Sequence, residues 1–312
     1  MSRTYIAPGC IVLAMMILAI SDNFIWRVAE SMSVWQYHAM RSAMLVPAIA
    51  GVLAILGIAG SIRVQRLRAV LMRSLLSTTA LMLYFAAIPA VGISLAAAGL
   101  FTSPIFVIVV SVFVFNESVG WRRLLGVSLG FAGVCLVLEI GTQPLRLMAV
   151  MPMIGGLLYG LSVIWTRRYC REETPGALAF WNMAVFLALG SVGMLATPWL
   201  AEMLEGKSGV EFATTLPRMP SLDTIALVGS LGVAAAVGMV LLAKGYSSVP
   251  SSYAALFDYS FLAWVPFFAW VLRGETIATS VAGGIALIIA AGVLAILGAN
   301  RKGQRDSHSL QI

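Results

Sequence analysis

Long apolar blocks separated by short polar segments run the length of the chain, without the strict alternation of a half-buried strand. A helix that crosses a bilayer needs roughly 20 apolar residues. Blocks of that kind fall at 6–27, 34–58, 70–88, 91–115, 120–138, 148–166, 176–198, 222–243, 250–272 and 277–298, which predicts an all-α membrane protein of ten transmembrane helices. Helix breakers sit between the blocks. Gly57 and Gly60 end the second, Pro89 and Gly92 separate the third from the fourth, Pro144 precedes the sixth, and Pro250 with Ser251 opens the ninth. One connection is long and polar, 199–221, with Glu202, Glu205, Lys207, Glu211 and Arg218. The first block has the outline of a signal peptide, but no small-x-small site follows it before Asp22, so it is read as the first helix.

Composition agrees with the pattern: 60% of residues are hydrophobic and 11% charged, where soluble domains sit near half apolar and a quarter charged. Lipid supplies no hydrogen bonds, so the backbone must satisfy itself, and unbroken apolar runs do that as helices. With the N-terminus placed in the cytoplasm, fourteen Lys and Arg fall on inside segments and five outside, with Arg41 within a span. Positive charge marks the cytoplasmic side, so both termini are expected there, in a bacterial-type inner membrane. The net charge of +7 is thereby a topology signal and not a nucleic-acid surface. The three cysteines have no paired spacing and the two histidines are far apart, so no disulfide framework, metal or cofactor is expected.

The chain also repeats itself. FNESVGWRRLLGVSLGFAG (115–133) and RGETIATSVAGGIALIIAAG (273–292) each join a span ending in a Glu to a Gly/Ala-rich span. Glu117 and Glu275 are 158 residues apart, half the chain. Each half then holds five spans, and an odd number inverts the second half relative to the first. The expected division is 1–146 for the first five-helix repeat, 147–300 for the second and 301–312 for a disordered cytoplasmic tail. Inverted repeats are a device of secondary transporters, with the substrate site near the midplane between them.

Four segments carry a family resemblance: SDNFIWR (21–27) with Asn23 and Arg27, MRSAML (40–45) with Arg41, TSPIFVIVVSVFVFNES (102–118) with Ser103, Pro104 and Glu117, and ALFDYSFLAWVPFFAWVLRGET (255–276). In these the chain resembles the drug/metabolite transporter superfamily, in its ten-helix EamA type, over about residues 8–298. The resemblance implies a basket of helices around a central cavity that works by alternating access. Asp258-Tyr259 stands where the family has Glu-Pro, so substrate details do not carry over.

Charges inside spans are costly and mark pathways by default. Asp22 and Arg41 both lie roughly 10 Å below the outer surface at 1.5 Å per residue, which predicts an ion pair that either lines the cavity or locks the first two helices. Asp258 lies near mid-membrane beside Tyr253 and Tyr259. A carboxyl there suits proton coupling or a cationic substrate group. His38 shares a helix face with Arg41. Asn23, Ser162 and Asn182 offer hydrogen bonds, and Tyr84, Tyr159 and Trp181 are deep aromatic candidates for stacking or packing. Trp26, Trp35 and Trp165 belong near span ends. Pro104 and Pro266 are hinge candidates in the fourth and ninth helices. The glycine stripes Gly126/Gly130/Gly133 and Gly156/Gly160 serve close packing within the chain or, alternatively, a homodimer contact.

The expected function is secondary active transport of a small metabolite, first as export of amino acids or related compounds, with protons as the candidate coupling ion. The alternatives are uptake of a vitamin or cofactor such as riboflavin or S-adenosylmethionine, and a non-transporting scaffold or receptor. P-loop, H-E-x-x-H, G-x-S-x-G and paired-Asp motifs are absent, which argues against direct ATP use and against an enzyme.

Overall fold

A computed structural model describes residues 3–57, 59–113, 121–137, 147–248, 257–276, 278–291 and 294, and among them it contains helices and no strand. The helices are α1 (Arg3–Asp22), α2 (Ile25–Ala29), α3 (Val34–Ile55), α4 (Leu67–Val91), α5 (Ile93–Leu100), α6 (Ser103–Phe113), α7 (Trp121–Val137), α8 (Leu147–Tyr169), α9 (Pro175–Met203), α10 (Glu211–Thr214), α11 (Leu222–Ser248) and α12 (Phe261–Arg273), followed by α13 (Thr279–Ala291). A 3-10 turn spans Ala59–Ile62. Six stretches are long and apolar enough to cross a membrane: Gly9–Ala29, Val34–Ile55, Leu67–Val91, Met148–Tyr169, Pro175–Met203 and Leu222–Leu242. Each coincides with an expected block. The blocks at 91–115, 120–138, 250–272 and 277–298 correspond to α5–α6, α7, α12 and α13. Glu117, Pro144, Pro250, Tyr253 and the tail 301–312 lie outside the described residues.

Three blocks that read as continuous helices are broken. The first stops at Asp22 and resumes at Ile25. The fourth turns at Phe101–Thr102 and the ninth at Tyr259–Ser260. The last two turns use the same hydrogen bonds 158 residues apart. Thr102 N–H donates to Gly99 C=O, and Ile105 and Phe106 N–H donate to Thr102 C=O. Ser260 N–H donates to Phe257 C=O, and Ala263 and Trp264 N–H donate to Ser260 C=O. This relocates the hinge candidates. Pro104 does not interrupt a ladder in mid-helix; it sits in the first turn of α6, where a proline's missing N–H has no helical acceptor to lose. Pro266 does lie inside its helix, α12. Pro89 likewise lies inside α4, and Gly92 alone makes the connection to α5, at φ +81°. Only glycine takes that region at no steric cost.

The helices pair in a definite order. α4 packs on α8, α3 on α9 and α1 on α11; α8 also meets α5 and α6, and α12 meets α1 and α5. Glycines set the closest approaches. A Cβ on Gly156 would stand 2.5 Å from Thr102 Oγ1 and 2.8 Å from Gly99 O, and one on Gly133 would stand 2.8 Å from Gly284 O. Gly160 meets Ser103 O, and Gly130 faces Ile105 and Ala291. Gly130, Gly133, Gly156 and Gly160 thus face helices of the same chain.

Each end of the bundle carries a polar latch between connections. At one end the Gln36 side chain donates to Arg218 C=O and accepts from Arg218 N–H at 3.2 Å, while Trp35 Nε1 donates to Ala213 O at 2.9 Å. At the other end the Glu173 carboxylate accepts from Gln65 N–H at 3.1 Å and Arg66 N–H at 2.8 Å. Thr174 Oγ1 there donates to Ser61 O at 2.6 Å. Packing at Gly156 predicts that Gly156→Ala lowers stability in detergent by about 1–3 kcal/mol, the usual range for overpacking. Gly51→Ala, with nothing within 4 Å of the new methyl, should leave the unfolding midpoint within error of the parent.

Candidate functional site

The break in the first block places a carboxylate inside the bundle. α1 ends at Asp22, and Asn23 closes it: Asn23 Nδ2 donates to Ala19 O at 2.8 Å and across to Val265 O at 3.2 Å. Arg273 Nη1 returns a bond to Asn23 O at 2.9 Å, while Arg273 Nε pairs with Glu275 Oε1 at 2.8 Å. Asn23, fully buried, is thus a staple between α1 and α12. Asp22 Oδ2 accepts from the Tyr84 hydroxyl at 3.0 Å.

The expected Asp22–Arg41 ion pair is not formed. Arg41, 7% exposed, donates from Nη1 to Tyr37 Oη at 3.2 Å. Its Nη2 lies 3.5 Å from His38 Nδ1. Three rings surround the guanidinium, with centroids at 5.1 Å (Tyr37), 5.7 Å (Phe85) and 5.5 Å (Phe186). Desolvated cation–π contacts reach about 2 kcal/mol each, which offsets much of the several kcal/mol that burying an ion costs. An aromatic cage therefore takes the place of a carboxylate, and Asp22 stays within electrostatic range without touching Arg41. His38 is wholly buried and stacked on Phe186 at 4.7 Å. A guanidinium has no lone pair to offer, so Nδ1 accepts and the ring proton resides on Nε2, an atom with no partner among the described residues.

A second polar centre lies towards the Glu173 end of the bundle, around Asn182. Its Oδ1 accepts from Ser77 Oγ at 2.5 Å and from Arg73 Nη1 at 3.1 Å. Arg73 also donates from Nε to Thr166 Oγ1 at 3.3 Å and from Nη1 to Leu178 O at 3.5 Å. α4 starts at Leu67, three residues ahead of the expected block at 70–88. Arg73 is thus in its second turn, joining α4, α8 and α9. Arg73, Ser77 and Tyr84 share one face of α4 at 100° per residue, so a polar stripe links the two centres.

Tyr159 stands between them. It is 38% exposed although its helix neighbours are packed: Gly155 abuts Ala80 of α4, and Gly156 and Gly160 abut α5 and α6. At 100° per residue Tyr159 falls on the arc between those contacts, so its exposed face opens inward. Ile154, 45% exposed, points the opposite way, towards lipid. Tyr159 is within electrostatic range of both Arg73 and Asp258. Asp258 closes a helical segment just before the Tyr259–Ser260 turn. Tyr259 is buried, with its ring 5.9 Å from Phe101 of the other broken helix.

Two candidates turn out to be engaged elsewhere. The Ser162 hydroxyl donates to Tyr159 C=O of its own helix at 2.7 Å, and Trp181 Nε1 donates to Ile62 O at 3.2 Å in the 3-10 connection. The residues that sequence reasoning passed over are Arg73, Tyr37 and the latch residues Gln36 and Glu173. For Arg73 a signal existed in its helical register with Ser77 and Tyr84.

The geometry predicts where Asp22 is coupled. A double-mutant cycle on Tyr84→Phe and Asp22→Ala should return about 1.5–3 kcal/mol, the worth of a hydrogen bond to a charged group. The cycle on Asp22→Ala and Arg41→Met should return less than half of that. Denaturant unfolding in detergent measures both.

Comparisons with known proteins agree with this architecture. The model of the EamA-like transporter family matches residues 6–139 and again 146–297. A riboflavin transporter of Rhizobium johnstonii is 25% identical over 221 residues, 71% of this chain and 67% of that one. An S-adenosylmethionine uptake transporter of Rickettsia bellii is 22% identical over 191 residues, 61% of this chain and 59% of the relative. One solved crystal structure, 15% identical, covers 93% of this chain and 96% of its own with a TM-score of 0.59, a likeness of fold. A helical bundle with apolar spans, internal charged centres and two matches to one family model is a membrane transporter architecture, and this chain belongs to the EamA-like transporter family.

Proposed function

We propose that the chain is a secondary active transporter that carries a small metabolite along the polar stripe of α4 by alternating access, in the inner membrane of a bacterium. It is not an enzyme in this reading. Its ten segments act as two five-helix repeats with both termini cytoplasmic. The observation that carries the reading is the symmetry of the pairing. Let α1–α2 be the first segment, α5–α6 the fourth, and so on to α13 as the tenth. Exchanging each segment for the one five places away turns the α4–α8 contact into α11–α1, α4–α9 into α11–α3, and α8–α5 into α1–α12. The α3–α9 and α5–α12 contacts map onto themselves, as does the approach of Gly133 on α7 to Gly284 on α13. The two broken helices meet on that axis through Phe101 and Tyr259. Broken helices meeting at a repeat interface are where transporters of inverted-repeat design hold their solutes.

Amino acids or related metabolites, exported, are the first reading of substrate and direction. Uptake of a vitamin or cofactor is the second, and the relatives named as riboflavin and S-adenosylmethionine uptake transporters favour it. Asp258 is the coupling candidate and Asp22 the outer carboxylate of the path. The protein works as a monomer or a homodimer in this account.

The test is flux in vesicles holding this chain alone, for labelled amino acids, riboflavin and S-adenosylmethionine, with and without an imposed pH gradient. One solute class should move, faster with the gradient. Asp258→Asn should abolish gradient-driven accumulation and keep solute exchange. Folded protein that moves none of these solutes favours a non-transporting role. An Asp258→Asn variant that still accumulates solute removes proton coupling at that residue.

A further inference from the structure

We propose that Arg73 is an anion-recognition point of the transport path, and that the solute carries a carboxylate together with a cationic group. The proposal rests on the transport reading for the route by which solute reaches Arg73.

A guanidinium has five N–H donors and no acceptor. In Arg73 the Nε donor goes to Thr166 Oγ1, and Nη1 goes to Asn182 Oδ1 and Leu178 O. All three acceptors are neutral. The Nη2 donors have no partner among the described residues, and Nη2 is not among the atoms sealed from solvent without one. Nor does Arg73 form an ion pair among the described residues. Of the two carboxylates in the connection at this end, Glu173 is committed to the backbone N–H groups of Gln65 and Arg66, and Glu172 is exposed and makes no ion pair with Arg73. The strongest anchor for a guanidinium is its fork on a carboxylate, and Arg73 has none among the described residues. Here neutral groups hold the Nε and Nη1 edge, and the Nη2 edge of the delocalised cation is left open.

Asn182 makes that orientation definite. Its Oδ1 is held by Ser77 Oγ as well as by Arg73, so the oxygen and not the amide nitrogen faces the guanidinium. Tyr159 follows seven residues before Thr166 on α8, about 10 Å away at 1.5 Å per residue, and opens into the interior. It is within electrostatic range of Arg73 on one side and Asp258 on the other. A solute lying along Tyr159 would meet a cation at one end and a carboxyl group at the other. One guanidinium balances one negative charge, which suits a carboxylate over a phosphate dianion.

The experiment uses matched probes: methionine, leucine and phenylalanine, each beside the amine that lacks its carboxylate and the acid that lacks its amine. Equilibrium binding is measured on purified full-length protein, and flux in vesicles of phosphatidylcholine, with a second set containing phosphatidylglycerol to expose competition by anionic lipid headgroups. In the wild type at least one amino acid should bind ten times more tightly than its amine. Arg73→Gln should erase that preference and leave the amine's affinity unchanged, and Arg73→Lys should restore part of it. Equal binding of amino acid and amine by the wild type overturns the proposal. So does a parallel fall of both in Arg73→Gln, the signature of a structural arginine, and so does a preference that appears only for anionic lipid. Binding that follows the expected pattern without flux upholds the assignment of Arg73 and removes the transport reading instead.

Discussion

In hydrocarbon an amide that has lost its helical partner has no water to turn to, so a broken membrane helix must find the missing bonds inside the protein. Each break in this chain is closed in that way. Asn23 caps α1 and reaches α12, and the Phe101–Thr102 and Tyr259–Ser260 turns recover their bonds through the same tight set of backbone contacts. Such turns persist only where they face protein or a water-lined interior, and so they mark the interior path. The polar side chains gather along it: Asp22 with Tyr84 at one level, Arg73 with Asn182 and Ser77 at another, and Tyr159 and Asp258 between.

The two arginines Arg41 and Arg73 are held inside the bundle in different ways, one buried and one half-buried. Arg41 is buried among Tyr37, Phe85 and Phe186, which meet its charge with ring faces. Arg73 is held along one edge by neutral acceptors and is open on the other. The difference lies in what meets the charge: three ring faces at Arg41, and at Arg73 neutral oxygen acceptors along one edge, with Nη2 unengaged among the described residues.

Much of the architecture was legible in the sequence, because lipid makes long apolar runs obligatory and leaves little choice between helix and anything else. The blocks at 34–58, 148–166 and 176–198 became α3, α8 and α9 with shifts of a few residues at their ends. The breaks were not legible in the same way. Phe101 sits inside an apolar block whose only warning is Thr102-Ser103-Pro104, a helix-start signal, and Phe261 at 5.4 Å and Tyr259 at 5.9 Å pack against the turn there. The Asp22–Arg41 pair failed for a related reason: equal depth says nothing about azimuth, and Arg41 turns towards Tyr37 and its ring cage. Arg73 lies within the expected block at 70–88, yet the charge tally treats it as cytoplasmic, which hides its place inside the helix. The Glu117–Glu275 spacing did anticipate the 158-residue offset between the two helix turns.

Alternating access requires that both latched ends open in turn, and cross-linking tests this most directly. With the three native cysteines replaced by serine, one variant carries Ser61→Cys and Thr174→Cys, and another carries Gln36→Cys and Arg218→Cys. Flux in vesicles is followed before oxidation, after it, and after reduction. The account predicts that either cross-link alone stops flux and that reductant restores it. Undiminished flux with one end fully cross-linked would contradict it.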